Sequence, residues 1–156
     1  MLENCDIKER WSGVDKLIER WLAERQKVIV QFCALSGVHG LAASGNTATR
    51  NRLQKFCQLL LDYVSAGHFE IYYELVREAE AFQDGSVEVA KALIPTLNET
   101  TAKALDFNDK YAEADASQIA WLAKDLSLLG EILEDRFDGE DKLINATHLC
   151  HREQVA

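Results

Sequence analysis

One proline and eight glycines in 156 residues leave this chain very few places to turn. Glycine and proline are the strongest local interrupters of regular structure, so a sequence this poor in both favours long elements. The apolar residues repeat to match. Trp11, Val14, Ile18, Trp21, Val28, Phe32 and Leu35 recur at alternating steps of three and four, with Arg25 standing where an apolar side chain belongs. That spacing lays one face of a helix against a core. A second stripe runs through Leu53, Cys57, Leu60, Val64, His68, Ile71, Leu75, Ala79 and Phe82. A weaker third joins Ala90, Leu93, Leu97, Thr101, Ala104, Asn108 and Tyr111. The fourth joins Leu122, Leu126, Leu129, Leu133, Arg136, Glu140, Leu143 and Thr147. Sustained strand-like alternation is absent.

Three breaks separate the stripes. SGVHGLAASGNTAT, residues 36–49, holds three glycines and reads as a loop; QDGS, residues 83–86, lets Gly85 end one helix and Ser86 cap the next. Asp115 or Ser117 can cap a helix that begins near Gln118. Four segments of roughly 30 residues remain, each about 45 Å long as a helix. The expected fold is all-α: one domain over residues 1–156, an up-down-up-down bundle of four long helices with a C-terminal tail at about 150–156. Pro95 should kink the third helix or mark the first turn after a break. Gly67 weakens the second helix without forbidding its passage.

A net charge of -9 and a pI near 4.9 argue against direct nucleic-acid binding, which needs a basic face. They fit a protein that docks on something basic. No apolar run is long enough for a membrane span, and MLENCDIKER lacks the apolar core of a signal peptide, so a cytoplasmic protein is expected. Cys5, Cys33, Cys57 and Cys150 form no CxxC pair; Cys33 and Cys57, on apolar stripes, are expected to be reduced and buried. Sequences typical of a nucleophile elbow, a phosphate loop or a zinc-protease helix are missing, so neither an enzyme nor a cofactor is expected.

Arg25, His68, Arg136 and Glu140 interrupt the core stripes near the middles of their helices, and in antiparallel bundles the middles meet. A central, charge-compensated polar layer follows, since buried charges survive only when paired. Two other readings compete. A bundle core can hold metal through Glu-x-x-His pairs, but none occurs, and His148 and His151 fall in the tail, so no metal is expected. A phosphotransfer histidine would need an exposed imidazole, whereas His68 lies on the buried stripe. A helical phosphotransfer or metal-binding signalling domain using His68 stays as the alternative class.

Asp62 falls opposite Leu60 and Val64 around the second helix and should point outward. Ser65, Ala66, Phe69 and Tyr73 share its face by helical spacing. One carboxylate, two small residues and two large aromatics along an outward face make a plausible docking surface. The competing reading is that a neighbouring helix covers the aromatics.

FCQLLLDYVSAGHFEIYYEL, residues 56–75, resembles the Rsd/AlgQ family of bacterial anti-sigma factors, with supporting matches at KLIERWLAER, residues 16–25, and RFDGEDKLI, residues 136–144. The match looks closer to the pseudomonad AlgQ branch than to the enterobacterial one. The resemblance implies an all-helical protein that binds the primary sigma factor of RNA polymerase in a one-to-one complex. It would keep sigma from core polymerase and promoter DNA as growth slows. It also implies contact with the sigma domain that reads the −35 element, through an aspartate at the position of Asp62. Within the matched first helix, Trp21 is expected to be structural, while Leu17 and Arg20 could extend the docking surface. An adaptor for another stress-signalling enzyme is a second alternative.

Overall fold

The computed structural model describes residues 2–37, 47–113 and 115–155, and every regular element among them is helical. Helix α1 spans Leu2–Ser36 and α2 spans Thr47–Ala66. A π-helical turn, Gly67–Ile71, carries α2 without interruption into α3, Tyr72–Phe82. Helix α4 is Ser86–Tyr111, α5 is the single turn Ala116–Ile119, and α6 is Leu122–Thr147. A 3₁₀ turn, Leu149–His151, leads to the short α7, Arg152–Val155. No described helix is long and apolar enough to cross a membrane.

The side-chain contacts give the topology. Trp21 stacks on Tyr63 and Phe32 meets Phe56, so α1 and α2 run antiparallel. Arg136 reaches Thr101 while Lys110 reaches Asp125, so α4 and α6 do too. Arg25 contacts Phe137 and Trp11 contacts His148, closing the ring between α1 and α6. This is the expected up-down-up-down bundle. Its core is one cluster from Val14, Ile18, Trp21 and Val28 on α1 to Leu126, Leu129, Leu133 and Leu143 on α6.

Several local expectations change. Helix α4 runs unbroken across Pro95, so that residue does not open a new helix. Between α3 and α4, Gln83 takes the left-handed cap position and Gly85 follows at φ 88°, while Asp84 rather than Ser86 supplies the capping oxygen: its Oδ1 accepts the Ser86 backbone N–H at 3.1 Å. Asp115 and Gln118 form a reciprocal capping box around α5, with N–H···O distances of 3.0 and 2.8 Å. Helix α2 already begins at Thr47, inside the stretch expected as loop; residues 38–46 lie outside the described ones. Cys33 is exposed, because the α1 stripe passes through its neighbours Phe32 and Leu35; Cys57 is buried, and burial pushes its thiol up to about 12. The tail is not free either, since His151 and Val155 are buried against the bundle.

Candidate functional site

Arg136 and Glu140, one helical turn apart on α6, are fully buried and face each other with Nε 3.1 Å from Oε2. Four elements complete the layer. Tyr63 of α2 and Tyr72 of α3 donate their hydroxyls to the two Glu140 oxygens, Tyr72 at 2.5 Å. The Arg136 guanidinium donates to Thr101 Oγ1 at 2.7 Å and Thr100 Oγ1 at 3.1 Å on α4, and lies over both tyrosine rings. From α1, Arg25 brings its Nε to 4.0 Å from Glu140, donates to the Phe137 carbonyl at 2.9 Å, and pairs outward with Asp141 at 2.7 Å. Burial pushes the Glu140 carboxyl up against the opposing pull of Arg136 and the two hydroxyls. Burial, then the Glu140 charge, pushes both tyrosines up as well, so they remain donors. The layer pairs its charges with one another, although Arg136 Nε, 3.1 Å from Glu140, makes no well-aligned hydrogen bond. It does what a buried ionic cluster does in a bundle: it ties the helices in one register.

His68 is not part of it. The stripe on α2 passes through Gly67, which is buried, and His68 is turned half outward, its ring edge against Phe69 at 4.7 Å. From Val64 the buried stripe steps three residues to Gly67 and four to Ile71, which leaves His68 beside it, at the start of the π turn. Just before it, the Tyr63 carbonyl accepts the Trp21 indole N–H at 3.1 Å and the Val64 carbonyl accepts from Arg136 Nη2 at 3.4 Å. Side-chain donors thus enter the carbonyl ladder where it changes pitch. Among the described residues His68 Nδ1 is enclosed and has no hydrogen-bond partner, a poor setting for phosphoryl transfer.

Gly67 is required by the same packing. A Cβ there would lie 3.0 Å from Arg136 Nη2 and 3.1 Å from Trp21 Cζ2, both held in the core. Gly67→Ala is therefore expected to destabilise the protein by about 1–3 kcal/mol despite alanine's better helix propensity. Chemical denaturation checks this, and a stabilised variant would contradict the packing.

The other face of the same rod is open. Asp62 is exposed and accepts from Gln58 Nε2 at 2.9 Å; Phe69 is 76% exposed and Tyr73 58%. These are the two most exposed aromatics among the described residues except for Trp121, which equals Tyr73 at 58%. Among the described residues no neighbouring helix covers them. Ser65 and Ala66 are half-buried at the rim. The π turn rotates Tyr73 around the rod relative to Asp62, so the residues form a sweeping surface rather than one straight line. Beside it, a groove of about 240 Å³ between α1 and the π turn is lined by Leu17, Arg20, Trp21, Glu24, Ala66, Glu70 and Ile71. Leu17 and Arg20 thus adjoin the α2 surface, while Trp21 is buried and only rims the groove.

A second polar cluster has no counterpart in the stripes. His148, fully buried, sets Nδ1 2.8 Å from Glu78 Oε2 and Nε2 2.9 Å from Asp15 Oδ1. Trp11 stacks on its ring at 4.3 Å and donates its indole N–H to the His148 carbonyl at 3.0 Å. Burial alone would lower the imidazole, but the hydrogen bonds to Glu78 and Asp15 outweigh it and hold His148 above its usual range. Through these two carboxyl groups His148 fastens α1, α3 and the end of α6 together, and burial pushes the Glu78 carboxyl up against the opposing pull of His148. Glu78, one turn from Leu75 on the buried side of α3, was the signal available in the sequence.

A family described as "Regulator of RNA polymerase sigma(70) subunit, Rsd/AlgQ" matches residues 1–148. The Regulator of sigma D of Shigella boydii serotype 4 is 37% identical over 147 residues, covering 92% of this chain and 92% of that protein. The Regulator of sigma D of Enterobacter sp. (strain 638) is 38% identical over 140 residues, 88% of this chain and 84% of its own length. That of Yersinia enterocolitica serotype O:8 is 30% identical over 140 residues, again 88% of this chain. With a family match across residues 1–148 and relatives up to 38% identical over most of the chain, the chain belongs to the Rsd/AlgQ family of regulators of the RNA polymerase sigma(70) subunit.

Proposed function

We propose that this protein is an anti-sigma factor that binds the promoter −35-reading domain of the primary sigma factor through the α2 face around Asp62. The observation that carries the reading is the exposed set Asp62, Phe69 and Tyr73, continuous with the Leu17–Arg20 groove, on a member of a sigma-regulating family. A domain that reads DNA presents basic side chains to phosphate. A carboxylate can engage such an Arg or Lys in a charge-assisted hydrogen bond and so compete with promoter DNA. Phe69 and Tyr73 supply apolar contact area of the kind that anchors interfaces, and Ser65 and Ala66 let a partner helix approach closely. Binding here occludes the DNA-reading surface and withdraws sigma from polymerase. The function is sequestration, without chemistry, in the compartment where transcription occurs.

The test is titration of the isolated −35-reading sigma domain, followed across a salt series. The association rate should fall as ionic strength rises, because the net charge of -9 steers the encounter, while the aromatic contacts leave a salt-insensitive residual affinity. Absence of binding would overturn the reading. A rate that stays flat with salt would remove charge competition from it.

A further inference from the structure

At one end of the bundle, away from the α2 face, the α3–α4 turn and the C-terminal 3₁₀ turn bring Asp84, Cys150 and His151 together, one ligand-type atom from each lying within 4.8 Å of the others. We propose that these three side chains bind a divalent metal ion of the zinc class. Cys150 and His151 lie just beyond the residues that the family model matches.

The histidine is oriented as a ligand. His151 Nδ1 lies 2.9 Å from the Thr147 carbonyl, which can only accept, so Nδ1 carries a proton there. Its ring is fully buried and stacked on Phe82 at 3.6 Å, which fixes where Nε2 points. A backbone carbonyl on one ring nitrogen with the other aimed outward is the usual outer-shell support of a metal-bound imidazole. Nε2 faces Asp84 Oδ2 at 2.6 Å. Two lone pairs at that distance require a cation between them, a proton or a metal ion. The other Asp84 oxygen is occupied by the Ser86 N–H, which leaves Oδ2 for the site.

Cys150 adds the sulfur. Its thiol donates to the Ala146 carbonyl at 2.9 Å, which places the sulfur beside Asp84 and His151. A divalent cation would displace the thiol proton to solvent and form a metal–thiolate bond. Sulfur, imidazole and carboxylate in one set suit zinc better than magnesium or calcium. Zinc ligand atoms sit roughly 3.2–3.8 Å apart. The Nε2–Oδ2 pair must therefore open slightly, which the 37% exposed Asp84 side chain on its turn allows. Water would take the fourth position.

The experiment uses the full chain stripped with chelator and titrated with Co²⁺, then Zn²⁺. One equivalent of Co²⁺ should give a thiolate-to-cobalt charge-transfer band that Zn²⁺ abolishes, and Zn²⁺ should raise the melting temperature. Cys150→Ser should remove the band, and Asp84→Asn should weaken binding about tenfold or more. Cys33→Ser, at an exposed cysteine elsewhere, should leave both intact. His151→Gln disturbs the packing on Phe82, so the serine and asparagine variants decide. No band, a band that persists in Cys150→Ser, or binding only at millimolar metal would overturn the site. None of these readouts depends on sigma binding.

Discussion

Glu140→Ala is expected to cost about 3–5 kcal/mol of stability, lowering the melting temperature by on the order of 10 °C. The reason lies in what remains. Arg136 would stay fully buried with its guanidinium uncompensated, and Tyr63 and Tyr72 would lose the acceptor for both hydroxyls. Desolvated groups left without partners cost far more than the pair gains when intact. Asp141→Ala offers the internal contrast. It breaks the outer ion pair of Arg25, but the Asp141 side chain is 59% exposed, so a loss of no more than about 1 kcal/mol is expected. Thermal and chemical melts of the two variants separate a buried layer from a surface ion pair. Equal losses would mean that the layer is wetter than its geometry indicates. Sigma binding by the folded fraction of Glu140→Ala should match the wild type, because the carboxylate reaches no exposed surface. Normal stability with abolished binding would overturn the structural role.

The helices and their antiparallel order were legible because few residues could stop them and the seams kept their period over many turns. Arg25, Arg136 and Glu140 were legible for the opposite reason: a charge on an apolar stripe has to find a partner, and helix middles meet in a bundle. The same reasoning failed at His68. A step of four from Val64 lands on His68, but the buried stripe takes a step of three there, so that Gly67 enters the core. The clue was Gly67 itself, the one residue able to sit against Trp21 and the Arg136 guanidinium. Spacing alone could not distinguish a glycine that weakens a helix from one demanded by close packing.

Tyr63 and Tyr72 were missed because a single-file stripe understates the buried face. A core-facing helix covers an arc of about 100°, wide enough to include the neighbours of Val64 and Ile71. The His148 cluster left a signal only at Glu78, for another reason. Its members come from α1, α3 and the end of α6, and no periodicity links a histidine in an apparent tail to a glutamate seventy positions earlier. The burial of His148, His151 and Val155 turns that tail into part of the closure of the bundle. Interior charges that break a pattern announce themselves, whereas polar contacts between a bundle's ends and its termini depend on tertiary placement alone.

Asp62→Asn is expected to leave the fold within about 0.5 kcal/mol of wild type and to weaken sigma binding by roughly 2 kcal/mol, about thirtyfold. Both halves follow from the position. Asp62 is exposed, and its one described partner, the Gln58 amide donating at 2.9 Å, can donate equally to an asparagine oxygen, so the substitution breaks nothing inside the protein. Only the charge is removed. If the carboxylate meets an Arg or Lys of sigma in a contact closed to water, that loss leaves the partner's cation desolvated and unpaired, which is why the penalty exceeds that of an ordinary surface ion pair. Phe69→Ala tests the apolar half of the same surface: a ring 76% exposed in the free protein contributes little to the fold, yet as a buried anchor its truncation should cost more than about 1 kcal/mol of binding. Titrating the −35-reading sigma domain against wild type and both variants, with melts alongside, separates the outcomes. Wild-type affinity in Asp62→Asn would remove the carboxylate from the interface. Unchanged affinity in Phe69→Ala with weakened Asp62→Asn would confine the contact to the α2 segment before the π turn. Loss in both, with intact melts, places the partner across the turn, in contact with Asp62 before it and with the exposed aromatics within and beyond it.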